Sequence, residues 1–297
     1  MQSAIQVADP AFSSVVDPKA RVEKIAGDFR FTEGPVCSRI GFLLFSDIPA
    51  ERIMKYNFPP GRSGPGKGEL SVFREKSNRA NGLTFDHQGR LLACEGAGRV
   101  TRTEKDGRIT VLAERVGGKA LNGPNDLVYS IDGSIYFSDL RATNAPADAA
   151  KTDFSAVYQI TRQGAVRLAT REPQRPNGVA LGPKQLTLYV ADSATQQIWS
   201  FEVNGDGSLK NGRVIATLKS DQQGAADGLK TDEAGNIYVA GPGGVWVFAP
   251  AGKHLGTIAV PETPSNCNWG RGFSGLYITA RTAIYYVPTK IPGTRTF

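Results

Sequence analysis

Several features that mark common protein classes are missing from this chain of 297 residues. No stretch of about 18 apolar residues occurs, and the first twenty residues contain no apolar run that could form a signal peptide. The three cysteines are an odd number, and each lies in or beside an apolar strand pattern. We therefore expect no membrane span and no disulfide framework, and we predict a cytoplasmic protein, or a periplasmic or secreted one if a leader has been removed.

The chain also lacks the patterns of nucleic-acid binding and of serine hydrolysis. Its net charge is +7, yet the basic residues are scattered singly and form no Lys/Arg run, so we expect no nucleic-acid partner and only a general attraction for small anions. No Gly-x-Ser-x-Gly segment occurs. The two histidines, His87 and His254, fall in what we read as outward turns, which disfavours a histidine-dependent mechanism. The sequence does not indicate an oligomeric state.

Glycine and proline are plentiful, with 34 and 18 residues, and they separate six copies of one pattern. Each copy has a polar marker residue, a short apolar strand, a turn with glycine, and a second strand rich in β-branched and aromatic residues. The markers, 39 to 52 residues apart, are Glu33, Asn81, Asn125, Asn177, Asp227 and Asn266. The turn glycines are Gly41, Gly89, Gly133, Gly182, Gly235 and Gly272.

This period, with four strands per copy, predicts an all-β fold: a six-bladed β-propeller with four-stranded blades around a central channel, in one domain over residues 1–297. The Asn-Gly and Asp-Gly pairs could instead be hairpin turns. However, they precede the first strand of each copy, whose hairpin has a turn of its own. Because the first strand of a blade is innermost, we expect the six markers to ring the mouth of the channel.

A ring of carboxylates and amide oxygens needs a positive partner, since the carboxylates would otherwise repel one another. Oxygen ligands of this mixed kind suit a divalent cation, Ca²⁺ best, with Mg²⁺, Mn²⁺ or Zn²⁺ as alternatives. Zinc would normally recruit His or Cys. The ring therefore predicts a cation site.

Four segments resemble the regucalcin/gluconolactonase family of six-bladed propellers, which includes luciferin-regenerating enzyme and is close to diisopropyl fluorophosphatase. They are Phe-Thr-Glu-Gly-Pro at 31–35, Asn-Gly-Pro-Asn-Asp at 122–126, Arg-Pro-Asn-Gly at 175–178 and Ala-Asp-Gly-Leu at 226–229. The resemblance, over roughly residues 22 to 288, implies that Glu33, Asn177 and Asp227 are metal ligands. It implies that Asn125 is a fourth ligand or a substrate contact.

The same resemblance implies hydrolysis of a lactone, often a sugar lactone, with a divalent ion as Lewis acid. Asp227 is then our candidate general base and Glu33 the alternative. Asn81 and Asn266 either take part in the site, Asn81 as a substrate contact, or only cap strands. Two other functions remain open: a calcium- or ligand-binding propeller without hydrolytic activity, and an organophosphate-type phosphotriesterase.

Loops that follow the second strands should return to the face of the ring and form the walls of a pocket. On this basis we expect Glu95 and Arg141 to contact substrate. The longest such loop, 140–154, is either a lid or specificity loop or a solvated connection. Gly123 stands where we align an arginine in the animal members, so their sugar contacts are not carried over to this chain.

Overall fold

The computed structural model describes residues 4–59, 66, 68–146, 148–270, 272 and 274–295, and it confirms the predicted six-bladed propeller. Two strands, β1 (Ile5–Val7) and β2 (Glu23–Ala26), precede the first blade. Blades 1 and 2 contain β3 (Thr32–Cys37), β4 (Phe42–Asp47), β5 (Arg52–Asn57), β6 (Glu69–Glu75), β7 (Ala80–Phe85), β8 (Leu91–Glu95), β9 (Arg99–Thr103) and β10 (Ile109–Ala113). A small hairpin follows, formed by β11 (Arg115–Val116) and β12 (Lys119–Ala120).

The other four blades repeat the antiparallel arrangement. Blades 3 and 4 contain β13 (Pro124–Tyr129), β14 (Ile135–Asp139), β15 (Ala156–Ile160), β16 (Val166–Thr170), β17 (Pro176–Leu181), β18 (Thr187–Asp192), β19 (Gln197–Val203) and β20 (Leu209–Thr217). Blades 5 and 6 contain β21 (Leu229–Thr231), β22 (Ile237–Gly241), β23 (Gly244–Phe248), β24 (His254–Ala259), β25 (Pro264–Trp269), β26 (Leu276–Ala280) and β27 (Ala283–Val287).

The ring of blades is closed by the N-terminal segment of the chain. Strand β2 pairs with β27 and is the fourth strand of blade 6, while β1 pairs with β24 as a fifth strand of blade 5. Near the axis, each innermost strand contacts the innermost strand of the next blade, and β25 contacts β3 to complete the circle. The two ends of the repeat array are therefore held together by backbone hydrogen bonds as well as by packing.

The second strand of each blade lies between neighbouring blades. Every residue of β8, β14, β22 and β26 is buried, because both faces of these strands are covered. This explains why the second strands read as continuous apolar and aromatic runs rather than as alternating patterns. Tyr136, Tyr238 and Tyr277 are among the large side chains that they bury.

Five of the six predicted turn glycines adopt a positive φ angle. Blade 4 differs, because its turn places Gln185 in the left-handed region at φ 56° instead of Gly182. Two short 3-10 turns cover Pro10–Ser14 and Ile48–Ala50. Among the residues described, no helix has the length and apolar character required to cross a bilayer.

Candidate active site in the central channel

A β-bulge lies at the marker position in five blades. The register between the first two strands shifts at Glu33, and equivalent shifts occur in blades 2, 3, 4 and 6. In blade 5 the marker Asp227 lies just before its short first strand, β21. Because a bulge bends the strand and redirects a side chain, these irregularities release the markers from the regular alternation of the sheet.

The glycine after a marker allows the inner strands to approach closely. A Cβ on Gly34, which has φ 53°, would lie 2.1 Å from the carbonyl oxygen of Asn81 in the next blade. A Cβ on Gly178 would lie 2.5 Å from the carbonyl oxygen of Asp227. The Asn-Gly pattern is therefore required by close packing of backbones at the axis, not by a hairpin turn.

Glu33 is the more enclosed of the two carboxyl residues in the ring, with 3% of its surface exposed. Its Oε2 atom accepts hydrogen bonds from the Gly34 backbone N–H at 2.6 Å and from the Asn266 side-chain amide at 3.0 Å. Burial, followed by the nearby charge of Asp126, raises the pKa of Glu33 to about 7. The carboxyl is thus held in one orientation by bonds to a single oxygen.

Asp227 is only partly enclosed, and its charge interacts with that of Glu33, which lies two blades away around the closed ring. Burial among protein atoms raises the pKa of Asp227 well above its usual range, and the charges of Glu33 and Asp126 raise it further. Hydrogen bonds from Asn177 and from the Gly228 backbone oppose this shift. Two carboxyls whose charges interact in a buried channel repel each other when both are ionised.

Two marker amides carry an oxygen without a partner. The Oδ1 atoms of Asn81 and Asn177 are both buried and accept no hydrogen bond. The Nδ2 atom of Asn177 donates to the Ser193 hydroxyl at 3.0 Å, which fixes the amide. Asn125 occupies the equivalent position in β13 and is partly exposed. Since buried oxygens without partners are rare, these two indicate an absent ligand.

Two charged residues of the channel, Asp126 and Lys230, were not predicted from the sequence. The Lys230 Nζ atom lies 3.4 Å from Asp126 Oδ2 and 3.4 Å from Asn266 Oδ1, and it donates to the Leu229 carbonyl at 2.9 Å. Both follow a marker closely in the chain, Asp126 by one residue and Lys230 by three. Their place on the first strand of a blade could have identified them from the sequence, because side chains on the inner side of that strand face the channel.

Asn266 connects this ion pair to Glu33. Its side-chain Nδ2 donates to Glu33, while its Oδ1 accepts from the Cys267 backbone N–H at 2.9 Å and from Lys230. Asn266 is 1% exposed, so its amide group is fixed in this orientation. Asn266 therefore both holds the Glu33 carboxyl and caps its own strand, and its role in the function stays a prediction.

Glu95 occupies a structural position that recurs at the end of the second strand. Asp47, Asp139 and Asp192, at the equivalent positions, accept two backbone N–H groups each from the segment before the first strand. The carboxylate of Glu95 is 1% exposed and is bound by the side chains of Arg74, Asn78, Arg99 and Thr101. Our prediction of a substrate contact at Glu95 finds no support, because a substrate hydroxyl would have to displace one of these partners.

Arg141 lies beside a cavity of about 600 Å³ at the junction of blades 2 and 3. The loop that follows β14 forms one wall, and Gly96, Asn122 and Gly123 form another. The Arg141 guanidinium donates to the Ala145 carbonyl at 2.6 Å, so it braces the loop from within. Residue 147 of this predicted lid or specificity loop lies outside the described residues. Gly123 is two residues before the marker Asn125 in the chain, and it is the lining residue nearest in sequence to a marker.

The histidines are remote from the ring. His87 lies in an exposed turn, as predicted, and its Nδ1 atom lies 2.5 Å from the Tyr129 hydroxyl. His254 is not in a turn: it begins β24 and stacks on Trp246. Outer strands carry it away from the axis, which agrees with a site built from oxygen ligands alone.

The residues of the channel fit a hard divalent cation. Three carboxylates and one ammonium group give the ring a net charge of −2 when all are ionised, and two amide oxygens lack partners. Within the described ranges, no cluster of three or more His, Cys, Asp or Glu side chains could hold a metal. A cation here would therefore need amide oxygens as well as Glu33 and Asp227, a donor set that suits Ca²⁺.

Comparison with known proteins agrees with this architecture. The model of the SMP-30/Gluconolactonase/LRE-like region matches residues 31–282, a span that includes all six marker positions. The chain belongs to this family. The resemblance predicted from the four sequence segments is thus confirmed.

Several gluconolactonases are among the relatives of this SMP-30/gluconolactonase family chain. One from Zymomonas mobilis is 32% identical over 311 residues, covering 96% of this chain and 85% of its own. The structure of a gluconolactonase from Xanthomonas campestris is 29% identical with a TM-score of 0.85, covering 96% and 94%. Diisopropyl-fluorophosphatase from Loligo vulgaris is 24% identical and covers 86% and 87%.

Proposed function

We propose that this protein is a divalent-cation-dependent lactonase that opens the ring of a sugar lactone or a similar cyclic ester. The observation that carries the proposal is the pairing of Glu33 with Asp227 beside the unpartnered oxygens of Asn81 and Asn177. The gluconolactonases among its relatives support the choice of substrate class. The bound ion would supply a positive charge to stabilise the negative charge that develops on the lactone carbonyl oxygen.

The ring residues divide into two roles on this proposal. Glu33, Asn125, Asn177 and Asp227 hold the ion, and Asn81 directs its oxygen at the ion or at the substrate. Glu33 is fully enclosed, with Oε2 already bound to Gly34 and Asn266, so it serves as a ligand and not as the base. Its enclosed position leaves proton transfer to another residue.

Asp227 is our proposed general base. It is only partly buried, so it is more open to an attacking water molecule than Glu33 is. The hydrogen bond from Asn177 orients the carboxylate. Asp227 would take a proton from the attacking water and return it to the ring oxygen that leaves as the alcohol.

Arg141 and the adjoining cavity are the proposed substrate pocket. The cavity of about 600 Å³ is large enough for a sugar lactone, and Gly123, two residues before Asn125 in the chain, lines it. Arg141 acts mainly by supporting the loop, since its guanidinium is bonded to that loop's own carbonyl groups. Lactone contacts would then come from Asn125, Asn81 and the open side of Arg141.

A proton-release assay on a panel of sugar lactones tests the proposal. We expect hydrolysis that disappears in EDTA and returns with Ca²⁺, or with Mg²⁺, Mn²⁺ or Zn²⁺ if one of these is the working ion. We expect Glu33→Gln to weaken cation binding and Asp227→Asn to abolish turnover. Undiminished activity after complete chelation would refute the proposal, and a faster rate on an organophosphate than on any lactone would replace it.

A further inference from the structure

The charge of Lys230 is confined to the interior of the channel. Its side chain is 14% exposed, and its Nζ atom contacts Asp126, Asn266 and the Leu229 carbonyl from three different directions. The space beside it, also lined by Thr84, is a cavity of about 20 Å³, which holds roughly one water molecule. With so little solvent nearby, the charge acts over a longer range than a surface lysine's.

The distance from this ammonium group to the ring is short. Lys230 Nζ lies 3.4 Å from Asn266 Oδ1, and Asn266 Nδ2 lies 3.0 Å from Glu33 Oε2. Since the oxygen and nitrogen of an amide are about 2.2 Å apart, Nζ lies within roughly 9 Å of the Glu33 carboxylate. The positive charge of Lys230 also opposes the rise in the pKa of Glu33, so the electric field of Lys230 reaches this predicted ligand.

We propose that Lys230 determines the valence of the ion that the ring prefers. This inference rests on the proposed cation site and goes further, because it assigns a role to a residue that would not touch the ion. With Lys230 present, Glu33, Asp227 and Asp126 leave a net charge of −2, which a divalent ion neutralises. Without it the charge becomes −3, which matches a trivalent ion.

The roles of Lys230 as a charge and as a hydrogen-bond donor can be separated. Lys230→Met removes the charge, Lys230→Arg keeps it, and Lys230→Met combined with Asp126→Asn returns the ring to −2 without the ion pair. Asp126→Asn alone gives −1. Lys253→Met is the matched control, because Lys253 is an exposed lysine that pairs with Asp9 far from the channel.

The experiment measures Ca²⁺ affinity by calorimetry and Tb³⁺ affinity by luminescence for each variant, with folding checked by thermal melting. We expect Lys230→Met to raise the ratio of Tb³⁺ to Ca²⁺ affinity about tenfold or more, since one unit charge within roughly 9 Å acts more strongly on a trivalent ion. The double variant and Lys230→Arg should keep the wild-type ratio, and Lys253→Met should not change it.

The variants also cover the case in which Lys230→Met does not fold. Asp126→Asn alone should then lower the Tb³⁺ to Ca²⁺ ratio by a similar factor. The inference is overturned if the ratio of Tb³⁺ to Ca²⁺ affinity stays within about twofold of wild type in every folded variant among Lys230→Met and Asp126→Asn. If wild-type protein binds neither ion, or if Asp227→Asn leaves binding intact, the proposed cation site itself fails, which is a distinct result.

Discussion

The raised pKa of Glu33 makes the cation-free protein lose stability as the pH increases. The folded carboxyl has a pKa of about 7 against an ordinary value of 4.5, so the folded protein binds more protons than the unfolded chain between these limits. The contribution of Glu33 is fully present below pH 4.5 and is lost as the pH rises through 7. At 1.36 kcal/mol per pKa unit, the loss is about 3 kcal/mol.

Urea denaturation in EDTA, at intervals between pH 5 and pH 8, measures this effect. Glu33→Gln is the informative partner, since glutamine keeps the shape and cannot ionise. We expect the free energy of unfolding of wild type, relative to Glu33→Gln, to fall by about 2–3 kcal/mol between pH 5 and pH 8. Subtracting the variant removes contributions from groups that do not interact with Glu33, including His254, whose pKa is lowered by burial.

Adding Ca²⁺ should reverse the trend. Because the ion requires the ionised carboxylate, its stabilisation of wild type should increase with pH up to about 7 and should be largely absent in Glu33→Gln. A free energy of unfolding in EDTA that is flat, or that rises between pH 5 and 7 relative to the variant, would refute our account of Glu33 as a buried, uncompensated carboxyl.

Three further predictions concern other parts of the channel and its frame. Asp227→Asn should lower the rate of lactone hydrolysis at least about 10³-fold, by proton release, without lowering the melting temperature in EDTA. Glu95→Gln should lower the free energy of unfolding by about 2–4 kcal/mol, because Arg74 and Arg99 lose their charged partner, and it should leave KM unchanged. A raised KM in a variant of unchanged stability would instead support Glu95 as a substrate contact. Gly178→Ala should lower the free energy of unfolding, measured in urea, by more than about 2 kcal/mol, because the added Cβ would meet the Asp227 carbonyl oxygen. Gly205→Ala is the control and should be nearly neutral, since no atom lies within 4 Å of a Cβ built there.

The propeller was predictable from the sequence because the repeat appears in local patterns. The marker residues, turn glycines and apolar second strands recur at a blade period, and pairing of adjacent strands requires no long-range information. The closure of the propeller by the N-terminal strand β2 was harder to predict from the sequence. Strand β2 pairs with β27 across nearly the whole chain, and the four residues of Glu23–Ala26 carry no repeat signal.

The charge of the channel was predictable where the marker itself carries it, as at Glu33 and Asp227. It was missed where a neighbour carries it. Lys230 follows Asp227 by three residues and looks like an ordinary surface lysine in the sequence, since only the position of the short first strand β21 at the axis directs it inward. Glu95 was misjudged for the opposite reason: its place beside the ring suggested a contact, while its arginine partners come from β6 and β9.

The channel confines its negative charges by means of the backbone. At Gly34 and Gly178, successive inner strands lie so close together that neither glycine position has room for a Cβ atom. This close packing keeps the blades from moving apart, so Glu33 and Asp227 stay near each other. Closure of the ring through β2 and β27 prevents the array from opening. Repulsion between the carboxylates must therefore be relieved by protons or by a cation. On the proposed function, this arrangement would position the ligands before the ion arrives.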